Sequence, residues 1–526
     1  LEFAQSADWA SWESFIEQRA PRIHSGAVPC CEYIPNQVSE KRKMKPNSSD
    51  VRHRPGEGRD SDGAPISGEK SMSSATPDGT SGERSLGLLT CTALVIGNMV
   101  GSGFFIAPAA LAPYGTTAII GWGVMAFGAV CLGLVFARLA RIAPATGGPY
   151  AYTRMGFGRF AGFIIAWGYW ISIWASLPAM GAGLVGYLAD LLPFLAEHRI
   201  LKIAIGLGSI WLVALVNLRG VKEAGLFMSV TTYTKLVPFV AISVFGLFWV
   251  DWGTFETINP SGQPFLSALA ATAPLTMFAF LGIESATVPA GHVVDPERTI
   301  PRATVLGTLV AALVYILGTT VVLGVIPRET LMNSGAPFAD AARVMWGEWA
   351  AVVISLAAII SSLGALNGWT LMLSQVPMAA ARDGAMPSIF AHLSPRGVPA
   401  RGLILSVSLA TLLLLIETSG TSALVTFYTT IVNLSTDAAM IPYVFCCVVE
   451  AILFITRHPL SRVLRIGPYT LPAIVAFVFS VGTIYGAGAE AGMWCLILVL
   501  LATPIWVFLT ESPSAPVDAP SHMEKN

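Results

Sequence analysis

Charge is what this chain has least of. Asp, Glu, Lys and Arg together make 12% of its 526 residues, about half the share usual in soluble domains. Hydrophobic residues make 54% and the mean hydropathy is +0.65, so a polytopic membrane protein follows. The net charge of −1 says nothing about partners because the charges are segregated, and no basic groove for nucleic acid is expected. Cysteine is also sparse, at seven residues. Cys91, Cys131, Cys446, Cys447 and Cys495 lie in or beside apolar runs without metal-ligand spacing, and read as small core residues. Cys30 and Cys31 stand apart in the polar N-terminal segment. No HExxH and no GxxxxGK[ST] occurs, and His292 is the one histidine embedded in an apolar run, at its end. A zinc hydrolase and an ATP-driven pump both lack their machinery. No selectivity filter and no signal peptide is evident. The chain is therefore expected to be no enzyme and to need no metal or cofactor.

Polar sequence is confined to the ends. Residues 1–85 are rich in Ser, Gly, Pro and charge, cannot bury a core, and are expected to be disordered. The chain begins with Leu, and Met44 and Met72 downstream are candidate starts. Residues 86–510 form the membrane domain, and 511–526 a second disordered tail. Twelve hydrophobic spans are expected, at about 86–112, 118–142, 158–189, 200–218, 226–250, 265–292, 302–326, 344–376, 401–417, 422–455, 466–487 and 491–510. Suppose both termini are cytoplasmic. Fourteen basic residues then fall on the inside: Arg138, Arg141, Arg154, Arg159, Arg219, Lys222, Arg298, Arg302, Arg382, Arg396, Arg401, Arg457, Arg462 and Arg465. Four fall outside: Arg199, Lys202, Arg328 and Arg343. The positive-inside bias fixes that orientation.

One span is interrupted. Gly97-Asn98-Met99-Val100-Gly101-Ser102-Gly103 sits at the centre of span 1, and Pro108 follows. Backbone at membrane depth must stay hydrogen-bonded, so a break is tolerated only where it lines a cavity. A break also exposes N–H groups at the start of a half-helix, which suits a carboxylate. The alternative is a small-residue packing surface, since Gly97 and Gly101 have GxxxG spacing. Span 6 repeats the pattern, with Phe278-Ala279-Phe280-Leu281-Gly282-Ile283-Glu284. Spans 1 and 6 open two five-helix units, and an odd number of crossings inverts the second. Interrupted helices in corresponding positions point to a transport site.

Intramembrane carboxylates are expensive, and functional by default. Glu284 is the sharpest case: it is a candidate to exchange a proton, or else a staple between helices. Lys235 in span 5 either replaces a cation beside the span 1 break or snorkels to the cytoplasmic interface. Asp437, in Asn433-Leu434-Ser435-Thr436-Asp437, either lines a cavity or belongs to a polar patch between helices. Glu450 reads as interfacial. Trp369 offers a face for a cation or a gate over a ligand, against ordinary packing. Tyr169 and Trp170 are weak signals taken singly.

Together these motifs resemble the amino acid–polyamine–organocation (APC) transporter superfamily, nearest its bacterial basic amino acid/polyamine antiporters. The resemblance covers roughly residues 86–510. It rests on Gly97–Gly103, on Gly147-Gly148-Pro149-Tyr150-Ala151-Tyr152, on Phe280-Leu281-Gly282-Ile283-Glu284-Ser285-Ala286, on Asp295-Pro296-Glu297-Arg298-Thr299-Ile300-Pro301 and on Gly368-Trp369-Thr370. It implies an all-α fold of twelve transmembrane helices, a LeuT-like five-plus-five inverted repeat with helices 1 and 6 broken. It implies that Gly101, Ser102 and Gly103 form the substrate-carboxylate site through the N–H groups of Ser102 and Gly103. Carbonyls of Met99, Phe278 and Leu281 would hold the α-amine. Trp369 would stack on the substrate, Tyr169 and Phe278 would gate it, and Glu284 would couple a proton. Three departures stand out: Leu177 and Phe278 replace a pocket Asn and a gating Trp, and Asn433 takes the place of a helix 10 Ser. Lys235 resembles the helix 5 lysine of proton-coupled members.

The expected function is secondary amino acid transport in the inner membrane, as an amino acid/amine antiporter. Proton-coupled transport of neutral amino acids, by symport or export, is the alternative. A transport-dead nutrient sensor is the alternative from another class. Expected partners are an amino acid or amine, membrane lipid, and optionally a second copy of the chain as a homodimer.

Overall fold

The computed structural model describes residues 86–142, 147–220, 231, 237–287, 293–419, 424–457 and 470–511. The expected extension at 1–85, the tail beyond 511, Lys235 and His292 lie outside the described residues. Among those described the chain is helical, apart from a single parallel bridge between Leu86 and Val293.

The first apolar span is divided. α1 (Leu88–Met99) ends where Val100 turns extended, at φ −78° and ψ 94°. α2 (Ser102–Phe105) and α3 (Ala107–Leu111) continue it as short pieces. Pro108 falls in the first turn of α3, where its missing N–H costs nothing. Gly101 is required at the break by proximity: a Cβ there would lie 2.5 Å from the Ala365 Cβ. α4 (Thr116–Ile142) follows. α5 (Pro149–Leu191) is two helices joined at Gly158, whose φ of +85° only glycine adopts readily. Its long part matches the expected third span. α6 (Arg199–Arg219) and the apolar α7 (Val237–Trp249) come next.

The sixth apolar span is divided as well. α8 (Phe265–Phe280) stops at an extended Leu281 and a left-handed Gly282, and a single 3-10 turn, Ile283–Ala286, carries Glu284. The remaining helices are α9 (Pro296–Val325), the amphipathic α10 (Pro337–Trp346), α11 (Glu348–Arg382), α12 (Ala400–Ser419), α13 (Leu424–Arg457), α14 (Leu471–Ala487), α15 (Ala489–Leu500) and α16 (Ala502–Glu511). Eight helical segments are long and apolar enough to cross a membrane, and four shorter apolar helices (α1, α7, α12 and α14, from their described residues) accompany them. The eight overlap expected spans, and the four shorter apolar helices overlap other expected spans.

α5 is the central column, packed along α13 on one side and α11 on another, while α9 packs along α4 and α1. The two interrupted helices meet. A Cβ on Gly282 would lie 3.1 Å from the Asn98 Cβ, and one on Gly103 would lie 2.9 Å from the Phe278 ring. α15 and α16 lie at the periphery, where most of their apolar side chains are uncovered, as lipid-facing helices require.

Candidate functional site

Four carbonyls around the first break, those of Asn98, Val100, Gly103 and Phe105, are taken by side chains from other helices. Trp369 on α11 donates its indole N–H to the Asn98 carbonyl at 3.1 Å, and Ser361, two turns earlier on the same face, donates to Val100 at 3.1 Å. Tyr428 on α13 donates to the Gly103 carbonyl at 2.6 Å. Tyr187 on α5 donates to Phe105 at 3.0 Å and accepts from the Phe338 N–H at 3.3 Å, tying the break to α10. Backbone freed at membrane depth thus finds partners within the protein. Ser102 and Gly103 open α2, so their N–H groups have no acceptor within that helix.

At the second break the Leu281 N–H is shared between the carbonyls of Met277 and Phe278, at 3.1 and 3.2 Å. The Phe278 ring closes against Gly103 and meets Tyr428 edge to face, with centroids 6.2 Å apart. Glu284 is fully buried. Its two carboxylate oxygens each accept a hydroxyl, one from Tyr169 on α5 and one from Tyr443 on α13. Its own carbonyl accepts the Thr287 N–H at 2.7 Å and the Thr287 hydroxyl at 2.6 Å. The second break therefore ends in an acid clamped between the two helices that pack most closely on each other.

Helical phase sorts the other candidates. Tyr169 and Tyr187 are eighteen residues, five full turns, apart on α5, so they share a face over about 27 Å. Ile173, Ser176 and Met180 stand on that face between them. On α13, Tyr428 looks at the first break and Tyr443 at Glu284. Ser435, two turns after Tyr428, shares their side, and its buried hydroxyl has no partner. Asp437 is turned the other way. Its Oδ2 would lie 3.9 Å from a Cβ on Gly492 of α15, and neither of its oxygens has a partner. Asn433, one turn before Asp437, shares the Asp437 face and not that of Ser435. The structure thus gathers Met99, Gly101, Ser102, Gly103, Phe278, Leu281, Trp369, Tyr169 and Glu284 around the two breaks. It sets Asn433 and Asp437 apart on the α15 side. Trp170 donates to Ser406 of α12 at 2.7 Å and so pins helices together.

Sequence reasoning missed Tyr443, Tyr428 and Tyr187. The signal available was spacing: Tyr428 and Tyr443 lie within about 60° of each other on a helical wheel.

Both ends of the site are closed. On the α10 side Phe104, Phe105, Phe239, Phe338 and Tyr315 pack ring on ring, with Phe105 stacked on Phe239 at 4.3 Å. Above them Arg343 bridges Asp190, Asp340 and Glu348 at 2.7 to 2.8 Å. Burial pushes the Asp340 carboxyl above its usual range, against the opposing pull of Ser334 and Arg343. At the other end Arg138 pairs with the nearly buried Glu450 at 2.9 Å, and Arg154 pairs with Asp383, which also accepts the Tyr150 hydroxyl. A groove of about 480 Å³ between α8 and α14, lined by Ala270 and Tyr485 among others, holds none of the site residues.

The family model for amino acid permeases matches residues 86–507. The chain belongs to the amino acid permease family, within the APC superfamily. It is 30% identical over 430 residues to a putrescine transporter, PotE, of Haemophilus influenzae, which covers 81% of this chain and 97% of that one. It is 34% identical over 381 residues to a cadaverine/lysine antiporter of Escherichia coli, covering 70% of this chain and 83% of the relative. The Escherichia coli PotE putrescine transporter is 30% identical over 426 residues. This permease is thus a helical membrane protein whose relatives are transporters of amino acids and polyamines.

Proposed function

We propose that this permease is a secondary active transporter that binds an amino acid or its amine at the paired breaks and releases it on the other side of the membrane. The observation that carries the reading is the meeting of two interrupted helices, α1–α2 and α8, at Gly101–Gly103 and Leu281–Gly282. Closed ends on either side fit a site that opens alternately. In this reading the helices form twelve crossings in a LeuT-like inverted repeat, with both termini cytoplasmic in the inner membrane, and α10 lies outside.

The N–H groups of Ser102 and Gly103 hold the substrate carboxylate. Carbonyls of Met99, Phe278 and Leu281 hold its amine. Trp369 and Phe278 supply the aromatic walls. Glu284 takes up and releases the transported proton, and its tyrosine clamp makes that event felt by α5 and α13. Tyr169 gates through its bond to Glu284. Lys235 and Asp437 are secondary candidates for coupling. Amino acid/amine antiport, the type printed in the name of the cadaverine/lysine relative, is the exchange mode proposed.

The test is Gly101→Val and Gly103→Val in purified, folded protein. A side chain at either position meets Ala365 or Phe278 well inside van der Waals distance. Ligand-induced thermal stabilisation and flux into proteoliposomes should both be lost. Retained binding in both folded variants rejects the site. Wild-type protein that binds but moves nothing is the sensor instead.

A further inference from the structure

Beyond Glu284 the site is covered by a piece of chain with glycines at each end. Residues 149–157 form the short first part of α5, which stops at Gly158, where φ is +85° and ψ −173°. Apart from its chain neighbours, no described atom lies within 4 Å of a Cβ built on Gly158, so backbone angle and not packing calls for glycine there. On the other side Gly147 and Gly148 take φ of +112° and +50°. The short helix folds back on the long one: a Cβ on Gly162 would lie 2.9 Å from the Arg154 Cβ.

The segment touches three elements of the site. Toward α13, a Cβ on Gly156 would lie 2.6 Å from Val449, Phe157 meets Phe445 edge to face at 5.2 Å, and the Pro149 carbonyl accepts the Cys446 thiol at 3.9 Å. Toward the second break, the fully buried Tyr152 stands beside Thr287, whose N–H and hydroxyl both bind the Glu284 carbonyl. Toward α11, the Tyr150 hydroxyl donates to Asp383 at 3.0 Å, and Arg154 pairs with the same carboxylate oxygen.

Exposure separates the two ion pairs at this end. Arg154 and Asp383 keep 37% and 43% of their side-chain surface exposed, so water replaces the pair at little cost. The Glu450 side chain is 5% exposed in its pair with Arg138, and parting those two would leave its carboxylate buried without that cation. A gate has to part on every transport cycle, which the first pair permits.

We propose that residues 149–157 are a lid that swings about Gly158, parts Arg154 from Asp383 and uncovers the Glu284 end of the site. The proposal rests on the transport reading above and names the piece that opens the cytoplasmic end.

Cys446 reports on the motion, because it is fully buried against the lid. The full chain, purified and folded, is treated with N-ethylmaleimide, and each cysteine is followed by mass spectrometry. Cys446 should react faster than Cys131 and Cys495, which are buried on α4 and α15. Asp383→Asn should speed Cys446 alone by about two- to fivefold, the range that losing an exposed ion pair produces. Reaction of all three cysteines together, or an unchanged Cys446 rate in Asp383→Asn, would overturn the lid. A second measurement ties the motion to transport. Arg154→Cys and Asp383→Cys in one chain are joined by a short, reductively cleavable cross-linker, and exchange of radiolabelled lysine and putrescine is followed in proteoliposomes. Flux should fall by at least about tenfold on cross-linking and return on cleavage, as for a closed lid. Undiminished flux through fully cross-linked protein would overturn the lid and leave the transport reading standing. Folded wild-type protein that moves neither solute would count against the transport reading and, with it, the lid's part in transport.

Discussion

Glu284 and Asp437 carry the same carboxyl group and are both buried, yet their surroundings differ completely. Glu284 follows a helix break and receives two tyrosine hydroxyls, one on each oxygen. Asp437 sits inside an unbroken helix, buried to the same degree, with both oxygens unpartnered and Gly492 and Cys495 of α15 nearby. A hydroxyl pair stabilises a charge that the low-dielectric interior otherwise penalises. A carboxylate that comes and goes between charge states needs such donors to stay folded in both. By that criterion Glu284 is the first candidate for the proposed proton coupling, and Asp437 the second.

The largest expected effect comes from emptying the clamp. Glu284→Ala strands two buried hydroxyls, each costing about 1 to 3 kcal/mol when left without a partner. It should lower the melting temperature in detergent by several degrees and abolish flux. If it melts like the wild type, the clamp does not hold the helices. Glu284→Gln comes next. It keeps an acceptor for one hydroxyl and leaves the backbone of both breaks untouched, so substrate binding should persist. The pH dependence of radiolabelled uptake across about pH 5 to 8 should flatten, since the variant cannot change charge. A profile that overlays the wild type would place the proton elsewhere, with Asp437 the next residue to test.

Smaller effects follow from removing one donor at a time. Tyr443→Phe and Tyr169→Phe should each cost about 1 kcal/mol, the scale of interhelical hydrogen bonds in membranes. The double variant should cost less than the sum if the hydroxyls share one carboxylate, and strict additivity in unfolding measurements would argue against a common clamp. The smallest effect is expected at Asp437. Asp437→Asn removes an unpaired acid and no partner, so stability should change by less than about 1 kcal/mol, with flux and its pH profile preserved. If instead Asp437→Asn flattens the pH profile and Glu284→Gln does not, the contrast between the two acids is reversed.

Much of the site was legible because it depends on residues that cannot be replaced locally. Gly101 and Gly103 stand where helices approach too closely for a side chain, and Gly282 adopts a φ of +98°. Glycines inside an apolar span are a strong signal for such constraints. Glu284 was legible for a different reason: a lone acid among apolar residues is costly enough to demand a purpose. The tyrosines were not legible. Tyr428, Tyr443 and Tyr187 lie in helices apolar on most sides, and nothing in composition distinguishes a hydroxyl that caps a broken backbone from one at a lipid interface. The choice between Asn433 and Ser435 was also hidden. They are two residues apart on α13, and a rotation of that helix by half a turn exchanges them.

By itself, then, the sequence determined the class of protein, the approximate spans, the two breaks and the acid beside the second. Each follows from a local rule: bilayer thickness sets span length, and buried backbone must be hydrogen-bonded. Only the tertiary structure decided which carbonyl each side chain satisfies, which face of α13 looks inward, and which of two buried acids has partners. Those facts depend on the azimuth of one helix against another, which is set by close packing among many side chains. In a helix apolar on nearly all sides the sequence carries no periodic mark of that angle.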